Sequence, residues 1–216
     1  MTTERKNTIN DKAISRFLLP TVKNIDPSWL LKLIPDSLYQ ASKESLQGSR
    51  ILTSEMHRQY RIAVPDKADL KPEQQWLIAD NDSQKKLALR LGGLACADYM
   101  RRTIKKEHVK QLMTAMGDTE YRNILKQPIL KVEGLTVDQY EGSLNTSHGG
   151  LFIMAVGIAL LELTLNEDST FIRLRMSFAF PIAAWDMRPK NLSVDIVQLL
   201  DLIAQSALIG VSHGNQ

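Results

Sequence analysis

GGLFIMAVGIALLELTL, residues 149–165, is the most apolar stretch of this chain and decides how the chain folds. The uncharged run that opens it ends at Glu162 after 13 residues, whereas a helix that spans a bilayer needs about 20 predominantly apolar residues. Large apolar side chains, among them Leu151, Phe152 and Val156, point to different sides of a helix drawn through the stretch, so that helix must be buried on several sides. The stretch therefore predicts the central helix of a soluble core.

The composition is that of an ordinary globular protein. With 216 residues and 44% hydrophobic content, the chain suffices for one sizeable domain or two small ones. Its net charge of +3, from 24% charged residues, falls well short of the concentrated positive charge of dedicated nucleic-acid binders. The N-terminus, MTTERKNTINDKAISR, lacks the apolar region of a secretory signal. These features predict a cytoplasmic protein.

Cys96 is the only cysteine of the chain. An internal disulfide therefore cannot form, which agrees with a reducing compartment. The apolar neighbours Leu94, Ala95 and Ala97 predict that Cys96 is a small buried side chain rather than a nucleophile.

The distribution of apolar and turn residues predicts a mainly α fold, in which one helical domain, or two lobes, surrounds the helix near 149–165. Residues 1–12 are polar and are expected to form a flexible N-terminus, and residues 13–216 to form the helical domain. Residues 41–82 are mostly polar and contain one short β-like run at 60–64. We expect this section to be either a polar surface section or the join between the lobes.

Local signals predict where several helices begin and end. Asp26 and Pro27 suit the N-cap and the first residue of a short helix. Ser83 predicts the start of a leucine-rich helix, and Thr103 the start of another that Gly117 ends. Two adjacent glycines, Gly92 and Gly93, interrupt the leucine-rich helix at a cost of roughly 1 kcal/mol each against alanine. Close packing against another helix is the expected compensation.

The last part of the chain is less clearly helical. FIRLRMSFAF, residues 171–180, alternates in a way that fits a strand almost as well as a helix. Residues 192–209 predict a final helix, which Asn191 or Ser193 can open and Gly210 can close.

No recognisable catalytic or metal-binding motif appears in the sequence. The four histidines lie far apart without a partner at metal-ligand spacing, and no phosphate-binding or dinucleotide-binding glycine loop is present, so we expect no metal and no cofactor. Ser147 and His148 precede two glycines, a pattern that favours a helix start over an oxyanion hole. An enzyme that acts on a small molecule in an apolar pocket is an alternative, with Asp98 or Glu162 as its acid or base.

One notable charge feature is the segment RRTIKKEHVK, residues 101–110. The candidate partner-binding residues are Arg101, Arg102, Lys105, Lys106 and Lys110. Three of them recur at four-residue intervals and are expected to lie on one helix face, with the other two widening this basic stripe. Such a face suits an acidic protein surface, RNA or anionic lipid, and the alternative is an ordinary solvated face. Because RNA bases stack on aromatic side chains and only Tyr99 and Tyr121 lie near, an acidic protein is the favoured partner.

Two longer segments carry a resemblance to a known family. KKLALRLGGLACADYMRRTI, residues 85–104, resembles the region of the SctK family of type III secretion proteins (YscK, PscK, OrgA and MxiK) in which a leucine-rich helix with a small-residue pair runs into two arginines. GLFIMAVGIALLELTL followed by FIRLRMSFAFPIAAW is similar to that family's apolar helix, polar break and basic-apolar segment. The resemblance covers roughly residues 85–187, with a weaker echo in FLLPTVKNIDPSWLLKLIP near the start.

The resemblance implies a non-enzymatic accessory protein of the injectisome. SctK-like proteins belong to the cytoplasmic sorting platform, at the cytoplasmic face of the inner membrane. There they connect the cytoplasmic domain of the inner-membrane ring protein SctD to pods built from SctQ, and indirectly to the stator SctL and the ATPase SctN. We therefore expect an adaptor required for protein secretion, with no nucleic acid bound and no membrane contact except through the ring.

Overall fold

The chain is mainly helical in a computed structural model that describes residues 21–61, 72–137, 148–165 and 170–211. The predicted fold class is therefore confirmed. The chain divides into two compact units, the first comprising Met1–Asn81 with Ser169–Ile182 and the second Asp82–Asp168 with Ala183–Gln216. The expected flexible N-terminus, residues 1–12, lies outside the described residues.

The described elements follow one another along the chain with short connections. The helices are α1 (Pro27–Leu31), α2 (Asp36–Lys43), α3 (Leu46–Gln59), α4 (Asn81–Ala95), α5 (Ala97–Arg102), α6 (Lys106–Met116), α7 (Asp118–Lys126), α8 (Gly149–Glu162), α9 (Thr170–Ser177), α10 (Ile182–Asp186) and α11 (Ile196–Val211), with 3₁₀ helices at Val22–Asn24 and Pro72–Ile78. The strands are β1 (Val132–Glu133) and β2 (Ser193–Val194), which pair antiparallel with Val132 opposite Val194.

Helix α1 begins as the sequence predicts. The Asp26 carboxylate accepts a hydrogen bond from the Ser28 backbone nitrogen at 3.1 Å, and Pro27 occupies the first helical position. An N-cap acceptor of this kind pairs one of the backbone N–H groups that have no partner inside the helix.

A cluster of three aromatic rings, Trp29, Tyr60 and Phe178, lies in the first unit. The rings meet edge to face, with centroids 5.3–5.6 Å apart. The Trp29 indole nitrogen also donates a hydrogen bond to the Phe180 carbonyl oxygen at 2.9 Å. These contacts attach the residues after α9 to the N-terminal part of the chain. The segment that the sequence left between strand and helix is helical through Ser177.

Residues 41–82 contain more regular structure than the sequence indicated. Ser45 caps α3, because its hydroxyl oxygen accepts a hydrogen bond from the Gly48 nitrogen at 2.8 Å. Helix α3 is 14 residues long and buries only Leu52 and Met56, which lie one turn apart. So narrow an apolar side explains why the periodicity escaped notice. Of the β-like run at 60–64, the first two residues form a turn and the others lie outside the described residues.

Helix α8 is buried on all sides, as the sequence predicted. Ten of its 14 residues are buried, and Phe152 and Val156 are fully inaccessible to solvent. His148 is its N-cap residue, so the pair of glycines opens a helix, as expected. In the part of the chain that the structure describes, no helix has both the length and the apolar character needed to cross a membrane.

The backbones of α4 and α8 touch where small residues face each other. A Cβ atom placed on Gly92 would collide with the Ile153 carbonyl oxygen and lie 2.9 Å from the Gly157 nitrogen. One placed on Gly157 would collide with the backbone of Ala88. The helix–helix packing expected of the glycine pair is therefore confirmed for Gly92. Gly93 instead faces the side chains of Met116 and Ile124, which belong to α6 and α7.

Two predicted helix starts in the second unit were wrong. Thr103 does not cap the helix that follows it, because its hydroxyl group donates to the Tyr99 carbonyl at 3.0 Å and so serves the end of α5. The helix starts at Lys106 instead. The final helix starts at Ile196, where the Asp195 carboxylate accepts hydrogen bonds from the first turn.

Candidate protein-docking surface

The five predicted basic residues lie on two helices rather than one. We call them the basic cluster: Arg101, Arg102, Lys105, Lys106 and Lys110. Helix α5 ends at Arg102 and α6 begins at Lys106, and residues 103–105 form an elbow between the two helices. The expected continuous stripe along one helix face is therefore wrong, since the backbone is extended at residues 103 and 105. All five side chains are nevertheless exposed.

Arg101 has a structural role that the sequence did not reveal. Its guanidinium group donates to the Leu125 carbonyl at 3.1 Å and to the Gln127 carbonyl at 2.6 Å. These carbonyls lie at the C-terminal end of α7, where the last backbone acceptors have no partner inside the helix. Arg101 therefore fastens α5 to the end of α7.

Arg101→Ala is expected to lower stability by about 1–2 kcal/mol, because charge-assisted hydrogen bonds to two carbonyls are lost. Thermal unfolding should show a melting temperature lower by about 2–4 °C per kcal/mol. Arg102→Ala is the matched control, because its exposed ion pair should contribute at most about 1 kcal/mol. Equal melting temperatures for the two variants would contradict the role given to Arg101.

Arg102 is paired with Asp98, one of the two candidate acids. The Arg102 Nη2 and Asp98 Oδ2 atoms are 3.1 Å apart, and both side chains are 60% exposed. This places Asp98 in a solvent-exposed ion pair one turn away along α5 and not in an apolar pocket. The arginine still offers most of its surface to a partner.

The three lysines of the cluster surround the start of α6. Lys105 is the N-cap residue and makes no capping hydrogen bond through its side chain, and Lys106 is the first helical residue. Positive charge at this end of a helix opposes the helix dipole, and Lys106 repels Lys110 one turn further on. Glu107 is the only acid in that first turn. The arrangement does nothing to stabilise α6, and it leaves a locally positive surface.

Ile104, in the elbow, is a residue that sequence reasoning overlooked. Its side chain is 92% exposed, more than any other large hydrophobic residue in the described part of the chain. It lies between Arg101-Arg102 and Lys105-Lys106 in sequence. The available signal was this single large apolar residue flanked closely by cations, which the expected helix starting at Thr103 concealed.

The two tyrosines nearest the basic cluster cannot serve as a stacking platform. Tyr99 is 8% exposed and Tyr121 is 5% exposed. Burial also raises the pKa of the Tyr121 hydroxyl group above its ordinary value. Since single-stranded nucleic acid is held largely by bases stacked on accessible aromatic rings, neither tyrosine favours an RNA interface.

The remaining candidates for chemistry have structural surroundings. The Glu162 carboxylate is 2.8 Å from the Arg188 guanidinium, whose carbon lies 3.5 Å from the centre of the Trp185 ring. Cys96 is fully buried, and burial raises the pKa of its thiol to about 12, so the thiol stays protonated at neutral pH. The prediction that Cys96 is a buried side chain is confirmed.

The histidines do not form a site among the residues that the structure describes. His57 lies on α3, His108 on α6 and His148 before α8, while His213 lies outside the described residues. In residues 21–61, 72–137, 148–165 and 170–211, no group of three or more His, Cys, Asp or Glu side chains is arranged to hold a metal ion.

Comparison with protein-family models, curated proteins and solved structures gives no match to this chain. Its function must therefore be inferred from its own residues. The feature best suited to binding is the basic cluster with Ile104 at its centre.

Proposed function

We propose that this protein is a non-enzymatic adaptor of the bacterial type III secretion injectisome, acting in the cytoplasmic sorting platform. It would link the cytoplasmic domain of an SctD-like inner-membrane ring protein to SctQ-like pods, and through them to SctL and SctN. The observation that carries the proposal is the SctK-like pattern of residues 85–104, a leucine-rich helix with a small-residue pair that runs into two arginines. The protein would act at the cytoplasmic face of the inner membrane.

The packing of the second unit supports this proposal. The small-residue pair of the pattern includes Gly92, which lies against α8, the apolar helix of the same pattern. The paired arginines that end the pattern are Arg101 and Arg102, which begin the exposed basic cluster. Two segments that carry the resemblance are thus in contact, and one of them leads directly to a surface suited to a protein partner.

An adaptor of this kind needs two docking surfaces and no pocket. When both surfaces are engaged in an assembled ring, two weak contacts reinforce each other, because the second binding event occurs at a high effective concentration. We assign one of these surfaces to the basic cluster. The enzyme and RNA alternatives have less support, since Asp98 and Glu162 are engaged in ion pairs and both nearby tyrosines are buried.

Replacing Arg102 and Lys106 together by glutamate should weaken binding of one partner by about tenfold or more, because like charges would then face the acidic surface. Folding should be retained, since an acidic residue at the first position of α6 agrees with the helix dipole. The measurement is recovery of SctD-like and SctQ-like proteins with the tagged protein from its native bacterium.

The matched control is Lys86→Glu combined with Lys190→Glu, which changes the net charge equally at two exposed positions outside the cluster. This control should retain both partners. If the cluster variant retained both partners as well as the control does, the cluster would have no role in docking. If even the unaltered protein recovered neither partner, the adaptor proposal itself would fail.

A further inference from the structure

Ile104 and the lysines beside it form a surface that the fold does not use. A single exposed apolar residue is ordinary on a protein surface. Ile104 differs because it is 92% exposed in the elbow and is followed at once by Lys105 and Lys106, with Lys110 one turn further along α6. Apolar and positive groups therefore adjoin on a surface that faces water.

We infer that the elbow is a docking site for an acidic protein segment that carries a large apolar side chain. Ile104 is the apolar contact, and the ammonium groups of Lys105, Lys106 and Lys110 pair with carboxylates on either side of the partner's apolar residue. Charge complementarity selects this occupant, because the three lysines are exposed and Glu107 is the only acid in the first turn of α6.

The geometry of the elbow defines the order of these contacts. Lys106 and Lys110 are four residues apart on α6 and lie on the same side of that helix. Ile104 and Lys105 precede the helix, where the backbone at residues 103 and 105 is extended. A partner segment would therefore meet the apolar contact first and the two lysines of α6 next.

Protein is favoured over an anionic membrane as the occupant. Stable membrane anchoring requires more than one short apolar group, whereas the elbow offers only Ile104. Arg101 is already engaged with two backbone carbonyls and Arg102 with Asp98, which reduces the charge available to lipid headgroups. Glu107 would be repelled by a uniformly negative bilayer, whereas a protein segment can place its carboxylates opposite the lysines alone.

The identity of the partner rests on the proposed function, because the acidic segment is expected in the SctD-like or the SctQ-like protein. The chemistry of the elbow does not depend on that identity. One experiment can therefore test the two separately.

The first step is photo-cross-linking of the full chain in its native bacterium, with Ile104 replaced by p-benzoyl-phenylalanine. The matched control carries the same replacement at Val197, a large apolar residue of the second unit that is 70% exposed and outside the elbow. Mass spectrometry should identify, from position 104 only, a partner segment with net negative charge and a large apolar residue. A cross-link to a neutral or basic segment, or no protein cross-link from position 104, would overturn the inference.

The second step measures binding of a synthetic peptide with the sequence of the cross-linked segment by fluorescence anisotropy. Ile104→Ser and the double variant Lys105→Glu with Lys106→Glu should each weaken binding by about tenfold or more, and Val197→Ser should leave it unchanged. Circular dichroism confirms that each variant is folded. Unchanged affinity in both elbow variants would overturn the inference.

The third step uses phosphatidylserine–phosphatidylcholine vesicles as the alternative occupant, with phosphatidylcholine vesicles as control. The inference expects no binding that depends on Ile104. Flotation with the phosphatidylserine vesicles that Ile104→Ser abolishes, without a protein cross-link, would assign the elbow to membrane instead.

These outcomes separate the elbow from the adaptor proposal. If SctD-like and SctQ-like proteins are recovered but position 104 gives no cross-link, the adaptor stands and the elbow inference fails. If position 104 cross-links to an acidic segment of an unrelated protein and neither platform protein is recovered, the elbow inference stands and the adaptor proposal fails.

Discussion

Val156→Glu is expected to abolish the accumulation of folded protein. Val156 lies in α8 and is fully inaccessible to solvent. A carboxylate in this position would lose its hydration without gaining a partner, and an uncompensated charge in a protein interior costs about 3–5 kcal/mol or more. Because a typical domain is stable by only about 5–15 kcal/mol, this single substitution removes a large part of the stability. The amount of soluble protein after expression, followed by circular dichroism of any that is recovered, measures the effect.

Val197→Glu is the matched control, because it makes the same chemical change at an exposed position. Val197 is 70% exposed and lies in the first turn of α11, where a negative charge agrees with the helix dipole. We expect this variant to accumulate normally and to unfold within about 1 kcal/mol of the unaltered protein. Normal yield and normal stability of Val156→Glu would mean that α8 is not at the centre of the core.

Gly92→Ala should destabilise the protein by about 2 kcal/mol, although alanine ordinarily favours a helix over glycine by about 1 kcal/mol. The added methyl group would collide with the Ile153 carbonyl oxygen, which belongs to the backbone of α8. Backbone atoms inside a packed helix cannot turn aside as a side chain can, so α4 and α8 must move apart and lose contacts on both sides. Urea unfolding monitored by circular dichroism measures the loss.

Gly93→Ala provides a matched control within the same helix. A Cβ atom there would lie 2.6 Å from the Ile124 Cδ1 atom and 2.6 Å from the Met116 Cε atom, both at the ends of flexible side chains. Small rotations can relieve these contacts, and the helix keeps its gain from alanine. We expect a change within about 1 kcal/mol in either direction. If Gly92→Ala were as stable as Gly93→Ala, the close approach of α4 and α8 would be refuted.

The basic cluster combines residues with different physical roles. Arg101 holds the end of α7, whereas Lys105, Lys106 and Lys110 face water and repel one another near the start of α6. Loss of binding in an Arg101 variant would therefore mix a folding defect with a docking defect. Experiments on the proposed adaptor function are best confined to Arg102, to the lysines and to Ile104.

Local patterns in the sequence were sufficient for several parts of the fold. The apolar run of 149–165 is too short to span a bilayer and apolar on every side, and the structure buries the helix Gly149–Glu162 accordingly. Asp26 and Pro27 begin α1 as predicted, because capping involves only atoms a few residues apart. The cost of Gly92 in a helix indicated a close helix contact, although not the helix that makes it.

Other features depend on segments that are distant along the chain, and no local spacing encodes them. The hydrogen bond from Trp29 to the Phe180 carbonyl joins residues 151 positions apart, and it places the residues after α9 with the N-terminal unit. Arg101 leaves the expected stripe because α7 presents carbonyls that need a donor.

The candidate docking surface illustrates the same division. The sequence alone determined which charges lie between residues 101 and 110 and that an acidic partner suits them. Only the tertiary structure decided that the helix breaks at the elbow and that Ile104 stays in water. The reason is physical: Thr103 bonds back to α5 and Arg101 is held by α7, and these contacts decide where one helix ends and the next begins.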